Sequence, residues 1–184
     1  MSNFSDFFPA PGGGGGGGTP KFQEFTSSGT FTPTQALIDA GGYIDIFIVG
    51  GGGRASSSGF GACGGETIFS RMYLTSTTGC AVTIGAGGPS NGTSGGSSSF
   101  AGSSAGGSDV TALGGAANAF QESRMGAGFG AVGDGSAGSG TFGYGVGAGE
   151  NGDKGVYTAK ANSGQGSSYN TTAGSGYCLI KWQE

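Results

Sequence analysis

Glycine supplies 47 and proline five of the 184 residues, a content that without a collagen period marks disorder, yet only 10 % of the chain is charged and 11 % aromatic, which is not the composition of a disordered chain. The net charge of -4 and a pI near 4.6 leave no basic stripe, excluding nucleic acid and anionic membrane surfaces as partners. There is no histidine, so the commonest general base and metal ligand near neutral pH are missing.

Residues 1–11 hold Phe4, Phe7 and Phe8 and two prolines, and Gly12 to Gly18 follow as an unbroken glycine run. The pattern predicts a tether, residues 1–20, ahead of one glycine-rich β domain, residues 21–184. The three rings cannot bury one another in so short a segment, so they either fold back on the domain or dock on another protein. The start lacks the basic residues and apolar run of a secretory signal, which predicts a protein made in the cytoplasm that stays there or leaves by lysis. No segment approaches the roughly 20 apolar residues of a membrane span.

Strands are predicted at Thr30-Phe31-Thr32, at Tyr43 to Val49, from Glu66 to Leu74 and from Cys80 to Ile84, each β-branched or aromatic and bounded by Gly, Pro, Ser or Asn. The second is apolar on both faces except at Asp45, as a central, doubly covered strand is. The third places Ile68, Met72 and Leu74 on one face and Thr67, Arg71 and Tyr73 on the other. Thr75 to Gly79 reads as a hairpin loop. A last strand runs from Tyr177 to Trp182, far along the chain from its partners. The expected architecture is all-β, a small β-sandwich-like domain with glycine-rich loops. Hydrophobic residues make up 34 % of the chain, many of them alanine; the core is therefore thin, and oligomerisation is expected to add stability.

Glycine tracts lie between the strands, at Gly50 to Gly53, Gly59 to Gly65, Gly85 to Gly107 and Gly126 to Gly149. Helix is disfavoured in all of them, at about 1 kcal/mol per interior glycine. Two ordered states remain, silk-like alternation and left-handed helices of the polyglycine-II type with three residues per turn. The latter is stable only where several pack side by side and exchange N–H and C=O bonds. Cys80 falls in register with Val82 and Ile84, and Cys178 with Ile180 and Trp182. These cysteines and Cys63 read as small buried hydrophobes rather than a disulfide or metal framework.

Motifs for catalysis are missing. No G-x-S-x-G is followed by an acid and a base. The G-x-G-x-x-G matches at 128–133, 133–138 and 138–143 lie in a tract where such matches arise by chance. The acidic grouping Glu150-Asn151-Gly152-Asp153 lacks the oxygen spacing and bidentate glutamate of a calcium loop. No enzyme, metal or cofactor is expected. Phe129, Phe142, Tyr144, Tyr157 and Tyr169 stand in Gly, Ser and Asn surroundings like those of binding loops; they are either receptor-binding residues or caps on the outside of a glycine bundle.

Four segments in order, Ser28 to Pro33, Ile46 to Gly53, Val82 to Gly88 and Gly95 to Phe100, resemble the glycine-rich domains at the ends of tailed-bacteriophage fibres and adhesins, over roughly residues 25–115. The resemblance implies a virion protein assembled in the host cytoplasm, all-β, homotrimeric, with polyglycine-type helices and loops that contact a bacterial surface receptor. Phe4, Phe7 and Phe8 are then the virion-docking residues. Fibres of this kind are usually much longer than this chain. A non-receptor-binding head or tail decoration protein, or a fibre subunit that only covers or stiffens the particle, is the alternative expectation.

Overall fold

A computed structural model describes residues 18–56, 62–117, 135–137, 141–143, 159, 161–167 and 170–184, and the chain is all-β. β1 (Pro20–Phe25), β10 (Tyr177–Gln183), β3 (Tyr43–Val49) and β4 (Thr67–Tyr73) form one antiparallel sheet in the order β1-β10-β3-β4. β2 (Gly29–Phe31), β5 (Cys80–Thr83), β6 (Ser98–Ala101) and β7 (Asp109–Ala112) form the second, in that order. β8 (Gly135–Ala137) and β9 (Thr141–Gly143) pair as a separate two-stranded ladder.

Alternation decides which side chains meet. Ile44, Ile46 and Ile48 of β3, Met72 of β4, and Cys178 and Ile180 of β10 point one way and share a single buried cluster with Phe31, Cys80, Val82, Phe100, Val110 and Ala112 of the second sheet. Phe31 lies edge-on to Trp182, ring centroids 5.2 Å apart, and ties the two sheets across the core. On the opposite face of β3 and β10, Phe47, Val49, Tyr177 and Leu179 form a second small cluster. β3 is thus central, as its residues predict, and its far face is covered at Phe47 and Val49 but open at Tyr43. All three cysteines are free and buried.

Two sequence expectations are corrected. Thr75 to Gly79 is not a hairpin loop: β4 pairs with β3, and β5 pairs with β2 and β6, so this segment crosses from one sheet to the other. Met72 and Leu74 on one side of it and Cys80 and Val82 on the other all enter the shared core, which a local hairpin would not require. The stretch 85–107 is likewise not one glycine tract. Ser98–Ala101 within it is a strand with Ser98 and Phe100 buried, and Gly102–Ala105 is a single 3-10 turn. One short helix, α1 (Gln35–Asp39), was not foreseen. The Thr34 side chain caps it by accepting from the Leu37 amide, and left-handed Gly41 and Gly42 end it.

Six strands run on, beyond the sheets, into glycine-rich tracts. β3 continues into 50–53, β5 into 85–88 and β7 into 113–116, while 62–66 leads into β4, 93–96 into β6 and 173–176 into β10. The tracts do not lie on the sheets but pack against one another. Gly50 to Gly53 sit at the centre: Gly50 donates to Glu66, Gly51 to Gly96, Gly52 to Gly174, and then Gly53 returns to the first neighbour at Cys63 and Arg54 to the second at Thr93. The carbonyls of the same residues serve other tracts, Gly51 accepting from Gly115, Gly52 from Gly88 and Gly53 from Ser167. The central tract therefore touches six others, and the amide partners of Gly50 and Gly51 recur three residues on, at Gly53 and Arg54.

Glycine is required here sterically. A Cβ on Gly50, Gly51, Gly52 or Gly53 would fall less than 3.0 Å from the backbone of Leu113, Ala86, Gln165 or Ala116 respectively. With no side chains between them, backbones approach to hydrogen-bonding distance on every side, so a bundle with almost no apolar core keeps its polar groups paired.

Candidate recognition surface

Register gives the molecule two ends. β1 and β10 pair with Pro20 opposite Gln183 and Phe25 opposite Cys178, and the Thr19 amide donates to the Glu184 carbonyl. Thr19 and Glu184 thus lie at the edge of the first sheet that is far from the tracts. At the other end, past Gly53, Ser167 and Ala116, come the turn at 88–93 and the described residues Ala117, Ala159 and Asn170. The amide of Ala159 is bonded to Thr172 at 3.0 Å, which roots this part of the chain at the distal end.

Most of the aromatics expected to bind lie outside the described residues: Phe4, Phe7 and Phe8, and Phe129, Tyr144, Tyr157 and Tyr169. Phe142 is in β9, paired with Ser136 of β8. The stretch that carries Phe129, Phe142, Tyr144 and Tyr157 joins Ala117 to Ala159, both distal, and Tyr169 falls between distal Ser167 and Asn170.

The described part of the distal end is built from amides, small hydroxyls and one charge. Asn91 and Asn170 bond reciprocally: the Asn91 Nδ2 donates to Asn170 Oδ1 at 2.9 Å, and the Asn170 amide donates to Asn91 Oδ1 at 3.0 Å, locking two turns together. Asn162 and Asn170 have φ of 55° and 60°, left-handed conformations that asparagine tolerates better than most residues. Arg54 and Glu66 are the charged residues among the described residues of the bundle, and Glu66 lies at its sheet end, where its carboxylate accepts from the Leu113 amide at 2.9 Å. The Arg54 Nη1 donates to the Pro89 carbonyl at 3.1 Å, and its Nε is buried with no acceptor. A buried donor left unpaired costs about 1–3 kcal/mol. Sequence reasoning overlooked Arg54, although a single cation inside a long uncharged stretch was a legible signal.

A second surface is apolar. Phe22, Tyr43, Phe69 and Tyr73 are 66, 55, 61 and 57 % exposed, and register places all four on the face of the first sheet turned away from the shared core. Among them the Arg71 guanidinium grips Asp45 through two bonds of 2.6 and 2.8 Å. Asp45 holds Arg71 fully charged, raising its pKa by hydrogen bonding.

Among the described residues no group of three or more His, Cys, Asp and Glu side chains converges to hold a metal ion, and no helix is long and apolar enough to cross a membrane. Comparison with family models, curated proteins and solved structures gives no match.

Proposed function

We propose that the chain is a non-catalytic bacteriophage virion protein, a tail-fibre or adhesin component that attaches to the host cell surface. The observation that carries this reading is the polarity just described. Thr19 lies at one end, the turn 88–93 with Ala117, Ala159 and Asn170 at the other, and between them stand two sheets and a bundle of backbone-bonded glycine tracts.

The finer architecture follows the same reading. The two sheets form a small β-sandwich around the shared core. In this reading the tracts are polyglycine-II-type helices, supported by the amide partners of Gly50 and Gly51 that recur three residues on, as three residues per turn would give. Seven residues of β3 at about 3.3 Å each and four of the central tract at about 3.1 Å give a rigid span of roughly 35 Å along the molecule. Phe4, Phe7 and Phe8 dock the tether on other virion proteins. Phe129, Phe142, Tyr144, Tyr157 and Tyr169 contribute to receptor contact, and the working assembly is a homotrimer located on the virion.

The test is adsorption competition. Purified protein is expected to slow phage adsorption to host cells and to stain those cells when labelled; unchanged adsorption at saturating protein, with no staining, overturns host attachment. A decoration or fibre role without host contact is favoured by one observation, the exposed aromatics Phe22, Tyr43, Phe69 and Tyr73, which suit burial against a neighbour in an assembly. Locating the copies on the particle separates the two readings, because a decoration protein buries its loops and an adhesin presents them.

A further inference from the structure

Arg54 is the one feature of the distal end that packing does not explain. Its backbone bonds, N–H to Thr93 at 2.9 Å and C=O from Gly92 at 3.1 Å, would survive any side chain. The guanidinium carries five N–H donors and cannot accept, and the bond to Pro89 satisfies only one of them. Among the described residues no carboxylate pairs with it: Asp45 is held by Arg71, Glu184 by Lys21, and the Glu66 carboxylate accepts from the Leu113 amide. The turn that holds it, 88–93, is fixed by the reciprocal Asn91–Asn170 bonds, so the head group is anchored on a stiff support rather than on a free loop.

From this we infer that Arg54 is an oxyanion-binding residue of the distal end, taking the carboxylate or phosphate group of a charged saccharide. The inference rests on the host-attachment reading and supplies the ligand chemistry for it. A planar fork of donors matches either oxyanion through two parallel bonds, and a neutral sugar offers no comparable acceptor. The chain is acidic overall, and among the described residues of the distal end Arg54 is the one charge, a cation, that an anionic ligand would meet.

The experiment observes the arginine Nε–H signals of the full chain by NMR while glucuronate, glucose 6-phosphate or glucose is added at constant ionic strength. Arg54→Lys identifies the Arg54 signal by its loss. The expected result is a saturable shift of that signal alone, with a Kd of about 1–10 mM for one of the two acids and none for glucose. Which acid does so separates carboxylate from phosphate. An Arg54 signal unmoved by both acids, or moved together with those of Arg71 and Arg124, overturns the inference. Because the titration uses the unaltered chain, a poorly folding variant cannot mask the outcome. In the adsorption assay, Arg54→Gln is expected to compete at least tenfold more weakly than the parent chain. Equal competition by both overturns the anion site and leaves host attachment standing. A saturable shift from a chain that never competes supports the site and sinks attachment.

Discussion

Gly52 donates its amide proton to the carbonyl of Gly174 at 2.8 Å, joining the centre of the bundle to the tract that leads into the last strand. The same residue shows how little room the bundle leaves, because a Cβ there would fall less than 3.0 Å from the backbone of Gln165 and Gly166.

Gly52→Ala is therefore expected to destabilise the protein by about 3 kcal/mol or more, at the severe end of overpacking, since the obstacle is backbone on every side. Ser94→Ala, on an exposed residue of a neighbouring tract, is expected to change stability by less than about 0.5 kcal/mol. Chemical denaturation of both variants checks the contrast, and equal effects would contradict the packing described.

Ser98 is fully buried where the second sheet passes into the bundle, and its Oγ accepts from the Gly85 amide at 3.0 Å. Ser98→Ala removes the acceptor and strands a buried N–H, for an expected loss of about 1–3 kcal/mol. Denaturant melts measure it, and amide exchange at Gly85 is expected to accelerate.

Acid should loosen the connections between strands. Bonds from Trp182 and Thr34 hold the Glu184 carboxyl below its usual range, and the Ser103 amide does the same for Asp109. A carboxyl with a depressed folded pKa stabilises above its unfolded pKa, about 4.3 for Glu and 3.9 for Asp, and that contribution is lost as pH falls through the folded value. Thermal midpoints are expected to be flat from about pH 7 to 5 and to decline below about pH 4. In Glu184→Gln/Asp109→Asn the acid decline should be shallower.

Burial pushes the Cys178 thiol up to about 12 and raises those of Cys63 and Cys80. All three are expected to resist a thiol reagent at mildly alkaline pH in the folded protein and to react together in denaturant. Rapid labelling of any one of them under native conditions would contradict its placement.

The strands at Tyr43 to Val49, Glu66 to Leu74 and Tyr177 to Trp182 were legible because alternation is a local property and Ile, Val and Phe declare it residue by residue. Helix α1 was equally local, announced by Thr34 before it and Gly41-Gly42 after it, but five residues between strands carry too weak a period to stand out. The connection at Thr75 to Gly79 misled because a five-residue loop between two strands fits a hairpin and a sheet crossing equally well. Only the partners of Met72 and Cys80 tell them apart. Arg54 was legible as one cation in an uncharged stretch, but its buried Nε without an acceptor was not, because that depends on what folds around it.

Taken alone, the sequence determined the β class, the buried cysteines and the exclusion of helix from the glycine tracts, since each depends on near neighbours and backbone propensity. Which glycines face which, that Gly50 to Gly53 stand at the centre of six other tracts, and that the turn 88–93, Ala117 and Asn170 lie opposite Thr19 and Glu184 were decided by the tertiary structure. A glycine has no side chain with which to declare its partner; its neighbours are chosen by backbone hydrogen bonds to residues as distant in the chain as Gly174, and those exist only once the strands have set the register.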